Sequence, residues 1–95
     1  MNQDLVLRRC PGVRQLDLGE SAMLFDSERA EMFELNSVGA IVWGNLDGTV
    51  TVGELTDDLV AVFPGPEDAV RDSVSAFVAE LIRLGLVVRQ VRQTA

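Results

Sequence analysis

The hydrophobic pattern of this chain changes its period part-way along. Residues 13–18 alternate apolar and polar side chains, the period of two that is typical of a half-buried strand. From Val70 to Leu84, apolar residues instead recur at spacings of four, three, four and three, which marks one face of a helix. The pattern therefore predicts strands in the first part of the chain and helices in the later part.

Three extended segments are predicted before the helices. They cover residues 13–18, 22–25 and 30–35, and are separated by a break at residues 19–20 and a turn at residues 26–29. These short connections predict a three-stranded antiparallel meander. A sheet of this size needs helices packed on one face to be stable.

The first predicted helix begins where a polar residue precedes an apolar run. Asn36 or Ser37 can cap it, and its apolar residues continue to Leu46. Asp47 and Gly48 are expected to end it, because glycine commonly follows the last turn of a helix.

Two more helices are predicted. Thr51, followed three residues later by Glu54, forms a capping-box pattern that opens the second helix, and residues 64–66 (PGP) stop it. The third helix covers residues 67–84 and is capped by Gly85, after which residues 86–88 can form a short extended tail. The order predicts one α+β domain over residues 1–95, winged-helix-like, with a three-stranded antiparallel sheet followed by three helices. Loosely held ends are expected at residues 1–5 and 90–95.

Composition argues against catalysis. The chain has one cysteine, Cys10, and no histidine, so it can form neither an internal disulfide nor a zinc site of the usual kind, and the thiol has no base to activate it. The carboxylates lie mostly at helix starts and in turns, where they have structural roles. We therefore expect no catalytic residues, no cofactor, no metal and no enzymatic activity.

Charge and hydropathy restrict the partners. A formal net charge of −7 opposes nucleic-acid binding, which requires a basic face, but is compatible with a basic peptide or a basic enzyme surface. No apolar run is long enough for a signal peptide or a membrane span. We therefore expect a cytoplasmic protein with no membrane or nucleic-acid partner.

Five short segments in a fixed order carry a family resemblance. They are residues 33–36 (FELN), 37–43 (SVGAIVW), 46–48 (LDG), 51–55 (TVGEL) and 81–87 (LIRLGLV). Over residues 32–87 the chain resembles the PqqD family, which includes the RiPP recognition elements, adaptors for precursors of ribosomally made peptide natural products. Most of these residues also have structural roles as helix caps or core side chains, so the motif mainly specifies the fold.

The resemblance implies that a precursor's leader segment adds as an extra strand beside the third strand. Its side chains would enter a cleft between that strand and the third helix, a recognition mode known as β-augmentation. The implied peptide-binding residues are Ala30, Glu31, Met32, Phe33 and Glu34 on the strand, and Asp68, Arg71, Asp72, Val74, Ser75, Val78 and Ile82 on the helix.

Two features of the third helix sharpen this hypothesis. Val78 and Ile82 extend the apolar surface beyond the core-facing stripe, beside Arg71 and Ser75. This second face suits a peptide, although a wider core contact, for example with the N-terminal segment, explains it equally well.

Acidic residues near the implied cleft give a second clue. Glu31, Glu34, Asp68 and Asp72 would suit a leader that carries lysine or arginine. The alternative is an acidic face that simply contacts water.

Several functions remain open. The favoured one is an adaptor for the leader peptidase and cyclase of a lasso-peptide pathway, since free-standing adaptors of this size are frequent there. A PqqD-type adaptor for a radical SAM enzyme is the first alternative. A winged-helix DNA-binding regulator is the second, opposed by the acidic second helix, and a purely structural enzyme subunit is the third. An open strand edge also allows homodimers.

Overall fold

A computed structural model describes residues 4–19 and 21–91 of the 95-residue chain. Within these described residues, six strands and three helices follow one another in a mixed order. They are β1 (Val6–Arg9), β2 (Val13–Asp17), β3 (Ala22–Asp26), β4 (Glu31–Leu35), α1 (Ser37–Gly44), β5 (Asp47–Thr51), α2 (Val52–Val62), α3 (Glu67–Leu84) and β6 (Val87–Arg89).

The predicted meander is confirmed by the sheet β2–β3–β4. Both of its ladders are antiparallel and run in continuous one-to-one register. Ala22, Leu24 and Leu35 lie on its inner face and are buried in the core. The α+β class with three helices is therefore correct, and the first strand ends one residue earlier than predicted.

A second sheet, β5–β1–β6, is absent from the sequence-based prediction. Here β1 lies in the centre and pairs antiparallel with both neighbours, so the expected tail after Gly85 is a paired strand. The segment with Asp47 and Gly48 belongs to β5 and does not end α1, as the sequence suggested. A side chain at Gly48, where φ is +85°, would place its Cβ 1.9 Å from Gln90 Nε2, so the glycine allows close contact there.

Both ends of α1 are satisfied by side chains. The Asn36 carboxamide oxygen accepts from the Gly39 N–H at 2.8 Å, which confirms the predicted cap. At the other end, where α1 stops at Gly44, the Arg9 guanidinium donates to the carbonyls of Trp43 and Gly44. The indole of Trp43 is buried in the core.

The remaining helices follow the predicted boundaries closely. The capping box of α2 is present, with Thr51 Oγ1 accepting from the Glu54 N–H and Glu54 Oε1 accepting from the Thr51 N–H. Gly85 ends α3 in the left-handed conformation at φ +73°. Val74 and Leu81 of α3 are buried in one cluster with residues of both sheets and of the other two helices.

The turn between β3 and β4 is organised by a buried carboxylate. Asp26 Oδ1 accepts from the N–H groups of Glu28 and Arg29, at 3.0 and 3.4 Å. Ala30 follows with φ at +55°, a left-handed conformation that is costly for an alanine. The third strand of the predicted meander, which is β4, therefore begins at Glu31, one residue later than predicted. Ala30 belongs to the turn.

The described parts of the two chain ends are tied to the sheets. Leu5 C=O accepts from the Val52 N–H at 2.8 Å, and the Gln90 N–H donates to Val6 C=O at 3.1 Å. The expectation of loose ends otherwise falls on residues 1–3 and 92–95, outside the described residues. Through residues 4–19 and 21–91, no helix is both long and apolar enough to cross a membrane.

Replacing Ala30 with glycine is expected to stabilise the protein. Left-handed backbone costs an L-residue about 1–2 kcal/mol, whereas glycine adds about 0.5–1 kcal/mol of unfolded-state entropy. The free energy of unfolding should therefore rise by up to about 1 kcal/mol, and thermal denaturation should shift upwards by a few degrees. Ala79→Gly, the same change inside α3, should lower the midpoint; a lower midpoint for Ala30→Gly would contradict the argument.

Candidate functional site

The strand β4 forms one edge of its sheet. Among residues 4–19 and 21–91, it pairs with β3 and with no other strand. An edge strand presents backbone donors and acceptors that can pair with another chain. An added strand can pair only with those residues of β4 whose backbone N–H and C=O groups point away from β3.

The hydrogen bonds between β2 and β3 show which residues of β3 are bonded to β2 and which face β4. The Leu18 N–H donates to Ser21 C=O at 2.9 Å, and the Ser27 N–H donates to Gly12 C=O at 3.1 Å. Both bonds continue the register of the β2–β3 ladder. Because the residues of a central strand bond alternately to its two neighbours, the odd-numbered residues of β3 face β2 and the even-numbered ones face β4.

The free edge of β4 follows from the same alternation. The even-numbered residues of β3 lie opposite Glu31, Phe33 and Leu35, which therefore direct their N–H and C=O groups at β3. Met32 and Glu34 direct theirs away from the sheet. These two residues present two donors and two acceptors to an added strand.

Two contacts place α3 near the two ends of β4. The Arg29 guanidinium, just before β4, donates to Leu84 C=O at the end of the helix. Just after β4, a Cβ on Gly39 would lie 3.4 Å from the Phe77 ring. The start of β4 is thus near the end of α3, and the end of β4 is near the middle of α3.

These contacts identify the flank of α3 that faces β4. Residues spaced three and four apart share one side of a helix. The flank that contains Phe77 and Leu84 therefore also contains Val70, Ser73 and Glu80. Sequence reasoning did not assign these residues to the site, although their spacing is visible in the sequence.

The opposite flank faces α2. Arg71 Nη2 lies 2.8 Å from Asp57 Oδ1 of α2, and Arg71 Nε donates to Glu67 Oε1 at 3.0 Å. The hydrogen bonds to Asp57 and then Glu67 raise the pKa of Arg71 above its ordinary value. By helical spacing Ser75 and Ile82 belong to this flank, so these two predicted residues and Arg71 lie on the side of α3 away from Phe77.

Two predicted contact residues are in the core. Val74 and Val78 are each 0% exposed and belong to the main hydrophobic cluster. Their burial corrects the expectation that they contact a peptide and supports the alternative of a wider core contact. Ile82 is half-buried and packs against the same cluster.

The predicted acidic residues fall into two separate groups. Glu31 and Glu34 are exposed on β4, at the candidate edge. Asp68 and Asp72 are exposed on the Arg71 side of α3 and do not join them. Of the four predicted acidic residues, Glu31 and Glu34 therefore lie at the edge, and Asp68 and Asp72 do not.

The outer face of the meander carries an exposed apolar patch. Two rows of cross-strand neighbours on β2, β3 and β4 form this patch. One row is Arg14, Phe25 and Met32, and the adjacent row is Leu16, Met23 and Glu34. Met32 is 58% exposed and Leu16 is 56% exposed. The patch is mainly apolar, with Arg14 at the end of one row and Glu34 at the end of the other. The whole chain, in contrast, has a net charge of −7.

A small cavity opens at the far end of the β4-facing flank. It measures about 180 Å³ and is lined by Val38, Phe63, Pro64, Gly65, Pro66, Ala69, Val70 and Ser73. No charged side chain belongs to this lining.

The remaining reactive groups among the described residues are carboxylates and the thiol of Cys10. Residues 4–19 and 21–91 hold no group of three or more His, Cys, Asp or Glu side chains placed to bind a metal ion. Cys10 Sγ donates to Gly85 C=O at 3.3 Å, and burial, together with Asp26, raises the pKa of its thiol. That shift favours the thiol over the more nucleophilic thiolate.

The family model described as "Coenzyme PQQ synthesis protein D (PqqD)" matches residues 21–87, from β3 to the first residue of β6. The chain belongs to the PqqD family. The match begins eleven residues before the stretch on which the sequence resemblance rested. No curated protein sequence matches the chain.

Solved structures share the fold of this PqqD-family chain. "TbiB1 in Complex with the TbiA(beta) Leader Peptide" matches with a TM-score of 0.72 and 19% identity, over 84% of this chain and 93% of the other. "Lasso peptide synthetase B1 complexed with the leader peptide" gives 0.73 and 17%, over 86% and 96%. The heterocyclase TruD gives 0.65 and 12%, over 96% of this chain but 12% of its own.

Val78→Asp is expected to unfold the protein. An unpaired carboxylate at a fully buried site costs several kcal/mol, a large part of the stability of a small domain. Circular dichroism should show loss of the cooperative thermal transition. Ala79→Asp, on the exposed neighbouring position of α3, should keep that transition; a folded Val78→Asp protein would contradict the burial of this side chain.

Proposed function

We propose that this PqqD-family protein is a non-catalytic adaptor that binds the leader segment of a ribosomally made precursor peptide. The leader adds as a strand to the free edge of β4, and the adaptor presents it to a modifying enzyme. The observation that carries this proposal is the outward backbone of Met32 and Glu34, near the flank of α3 that contains Phe77.

The edge alone is too weak to select a peptide. Its four outward backbone groups, at a net gain of about 0.5–1.5 kcal/mol each, contribute roughly 2–6 kcal/mol. A binding free energy near 4 kcal/mol corresponds to a dissociation constant of only about 1 mM. Micromolar or tighter binding therefore requires side chains in the groove beside the edge.

The groove offers apolar surface for this purpose. Phe33, Phe77 and Leu84 are half-buried and pack against the core from β4 and α3. Alternate side chains of an added strand would point towards this flank, since successive residues of a strand face opposite sides. At the other edge of the meander, β2 has four exposed residues out of five and lacks such a surface.

Charge favours a basic leader. Glu31 and Glu34 lie exposed on the strand that would receive the peptide, and the whole chain carries a net charge of −7. Lysine or arginine in the leader would be attracted to this edge, and the attraction would weaken as salt is added.

The setting we favour is a lasso-peptide pathway, with a leader peptidase and a cyclase as partners. Two proteins with this fold and nearly the same length are seen with leader peptides, one of them a lasso peptide synthetase component. Delivery to a radical SAM enzyme in a pathway like that of coenzyme PQQ is the alternative, supported by the family description. A DNA-binding role is not favoured, because α2 carries Glu54, Asp57 and Asp58 and no basic residue.

We further propose that the modifying enzyme docks on the outer face of the meander. The patch around Leu16, Phe25 and Met32 is apolar and borders the β4 edge, so a peptide strand added there would extend the same face. The partner would need a matching apolar surface. The heterocyclase TruD, of which this fold is one part, supports the idea that the fold works beside enzymes.

Met32→Pro tests the binding edge. Proline removes the outward N–H but is tolerated at an edge strand whose N–H faces solvent, so the fold should persist. Peptides selected on the wild-type protein from a displayed library of random linear peptides should bind this variant about tenfold or more weakly. Fluorescence anisotropy measures the affinity, and Met32→Ala, which keeps the N–H, is the matched control.

Two results would contradict this register. One is wild-type affinity in a folded Met32→Pro protein. The other is a loss in Met32→Ala as large as that in Met32→Pro, which would assign the binding energy to the side chain rather than to the strand edge.

Leu16→Glu tests the docking face. Leu16 lies on β2, two strands away from the peptide edge, so peptide affinity should stay unchanged. A charge on the apolar patch should slow processing of the bound precursor by the partner peptidase, or modification by the partner radical enzyme, about tenfold. Val62→Glu, at a 74% exposed valine on α2, should leave the rate unchanged, and equal rates for both variants would place the docking face elsewhere.

A further inference from the structure

We infer that the free edge of β2 pairs with β2 of a second copy of this chain, so that two copies share one six-stranded sheet. This inference goes beyond the proposed function and does not depend on it, because β2 and the peptide edge of β4 lie on opposite sides of β3. Within the part of the chain that the structure describes, β2 pairs with β3 and with no other strand. Its outer edge is therefore open to another chain.

The outward residues of β2 follow from the bonds that join this strand to β3. The Leu18 N–H and the Gly12 C=O both bond to residues of the β3 side. Because bonding alternates along a strand, the even-numbered residues of β2 face β3. Val13, Gln15 and Asp17 therefore direct their N–H and C=O groups away from the sheet. The β2 edge thus offers three donors and three acceptors, one more of each than the β4 edge.

A two-fold axis at Gln15 pairs all of these groups. In the antiparallel register that places Gln15 opposite its own copy, Val13 lies opposite Asp17 of the second copy, and the reverse pair repeats the contact. Each of the three pairs joins outward residues, so each exchanges two backbone hydrogen bonds. Such a contact uses the same patch on both copies, so it closes into a dimer and cannot grow into a filament.

The charges at the two ends of β2 are complementary under this axis. Arg9 lines an open hollow together with Val13 and Gln15, and its Nη1 is held by the carbonyls at the end of α1. Asp17 of the second copy lies opposite Val13, so its carboxylate comes next to this guanidinium. Opposite charges on neighbouring strands stabilise their pairing, and the symmetry supplies the ion pair twice.

An apolar contact accompanies each ion pair. A second hollow, beside Asp17, is lined by Ala40 and Ile41 of α1, and Ile41 is 42% exposed. Val13 and Asp17 point to the inner side of the meander, since both lie opposite buried residues of β3. The side chain of Val13 from the second copy, opposite Asp17, therefore points into this hollow and covers part of Ile41.

The β4 edge does not offer the same complementarity. Its charged residues are Glu31 and Glu34, so two β4 strands would bring four carboxylates together. Like charges on neighbouring strands oppose pairing. Copies of the chain therefore pair through β2, and the β4 edges stay open for a basic peptide at the two outer ends of the joint sheet.

The pairing also places the two outer faces on one side of the joint sheet, because the two-fold axis of an antiparallel strand pair is perpendicular to the sheet. Leu16 of each copy lies opposite Arg14 of the other, and the methylene groups of the arginine cover part of this exposed leucine. The dimer therefore presents two apolar patches on the same side and two separate peptide edges.

Sedimentation equilibrium of the wild-type protein tests the dimer without any peptide. Pairing of a single strand is smaller than the interface of a permanent dimer, so the association should depend on concentration. The average mass should rise from that of one chain, 10.3 kDa, towards twice that value as the concentration increases from about 1 µM to about 1 mM. An average mass of one chain at every concentration would overturn the inference.

Asp17→Arg tests the ion pairs. Both symmetric contacts with Arg9 change from attraction to repulsion, so the dissociation constant of the dimer should rise about tenfold or more. Asp58→Arg, at an exposed position of α2, raises the net charge of the acidic chain equally and should not weaken the dimer. Both variants should keep a cooperative thermal transition. Equal dissociation constants would place the contact elsewhere.

Gln15→Cys tests the register. The two-fold axis places this position opposite itself with Cα atoms about 5.5 Å apart, a separation that a disulfide can span. The background is Cys10→Ser, which keeps a donor for Gly85 C=O. Under mild oxidation, Gln15→Cys should cross-link about tenfold or more faster than Val62→Cys, at a 74% exposed position of α2. Equal rates would contradict the register.

Met32→Pro separates this inference from the proposed function. The variant should weaken peptide binding and leave the dimer intact, whereas Asp17→Arg should weaken the dimer and leave peptide binding intact. Loss of the dimer in a folded Met32→Pro protein would show that copies pair through β4 and would overturn the inference. If no selected peptide depends on the Met32 N–H but Gln15→Cys cross-links as expected, the proposed function fails and this inference stands.

Discussion

The burial of one stripe of α3 is the interaction on which the rest of the structure depends. Neither three-stranded sheet is large enough to be stable alone, and buried residues of both sheets share one cluster with this helix. Val74, Val78 and Leu81 are almost fully buried where the sheets and helices meet. Because the helix uses its buried stripe for the core, its two flanks remain available: one binds α2 through Arg71, and the other lies beside β4 without covering its edge.

The sequence predicted the local structure well, because local signals determine it. The cap at Asn36, the capping box of α2 and the glycine after α3 each depend on residues a few positions apart. The strands β1 and β5 could not be predicted in this way. They are four and five residues long, and their pairing joins Val6 to Thr51 across most of the first half of the chain. Such pairing is decided by tertiary packing rather than by local pattern.

The candidate site was predicted in part for a similar reason. The helix pattern identifies the buried stripe of α3, but two flanks border every such stripe, and the spacing alone does not say which neighbour each one meets. Arg71 marks the α2 side and Phe77 marks the β4 side only once their contacts are known. The edge strand was identified correctly, whereas the start of the strand moved from Ala30 to Glu31 because the turn needs a left-handed residue.

Met32 connects the two surfaces that the proposal assigns to different partners. Its backbone points to the free edge, while its exposed side chain lies on the outer face of the meander beside Phe25. A peptide strand at the edge would therefore add its own side chains to the face on which we place the enzyme. Any contact between enzyme and peptide on that face makes the enzyme bind the loaded adaptor more tightly than the empty one. By thermodynamic linkage, the docked enzyme must then tighten peptide binding by the same factor.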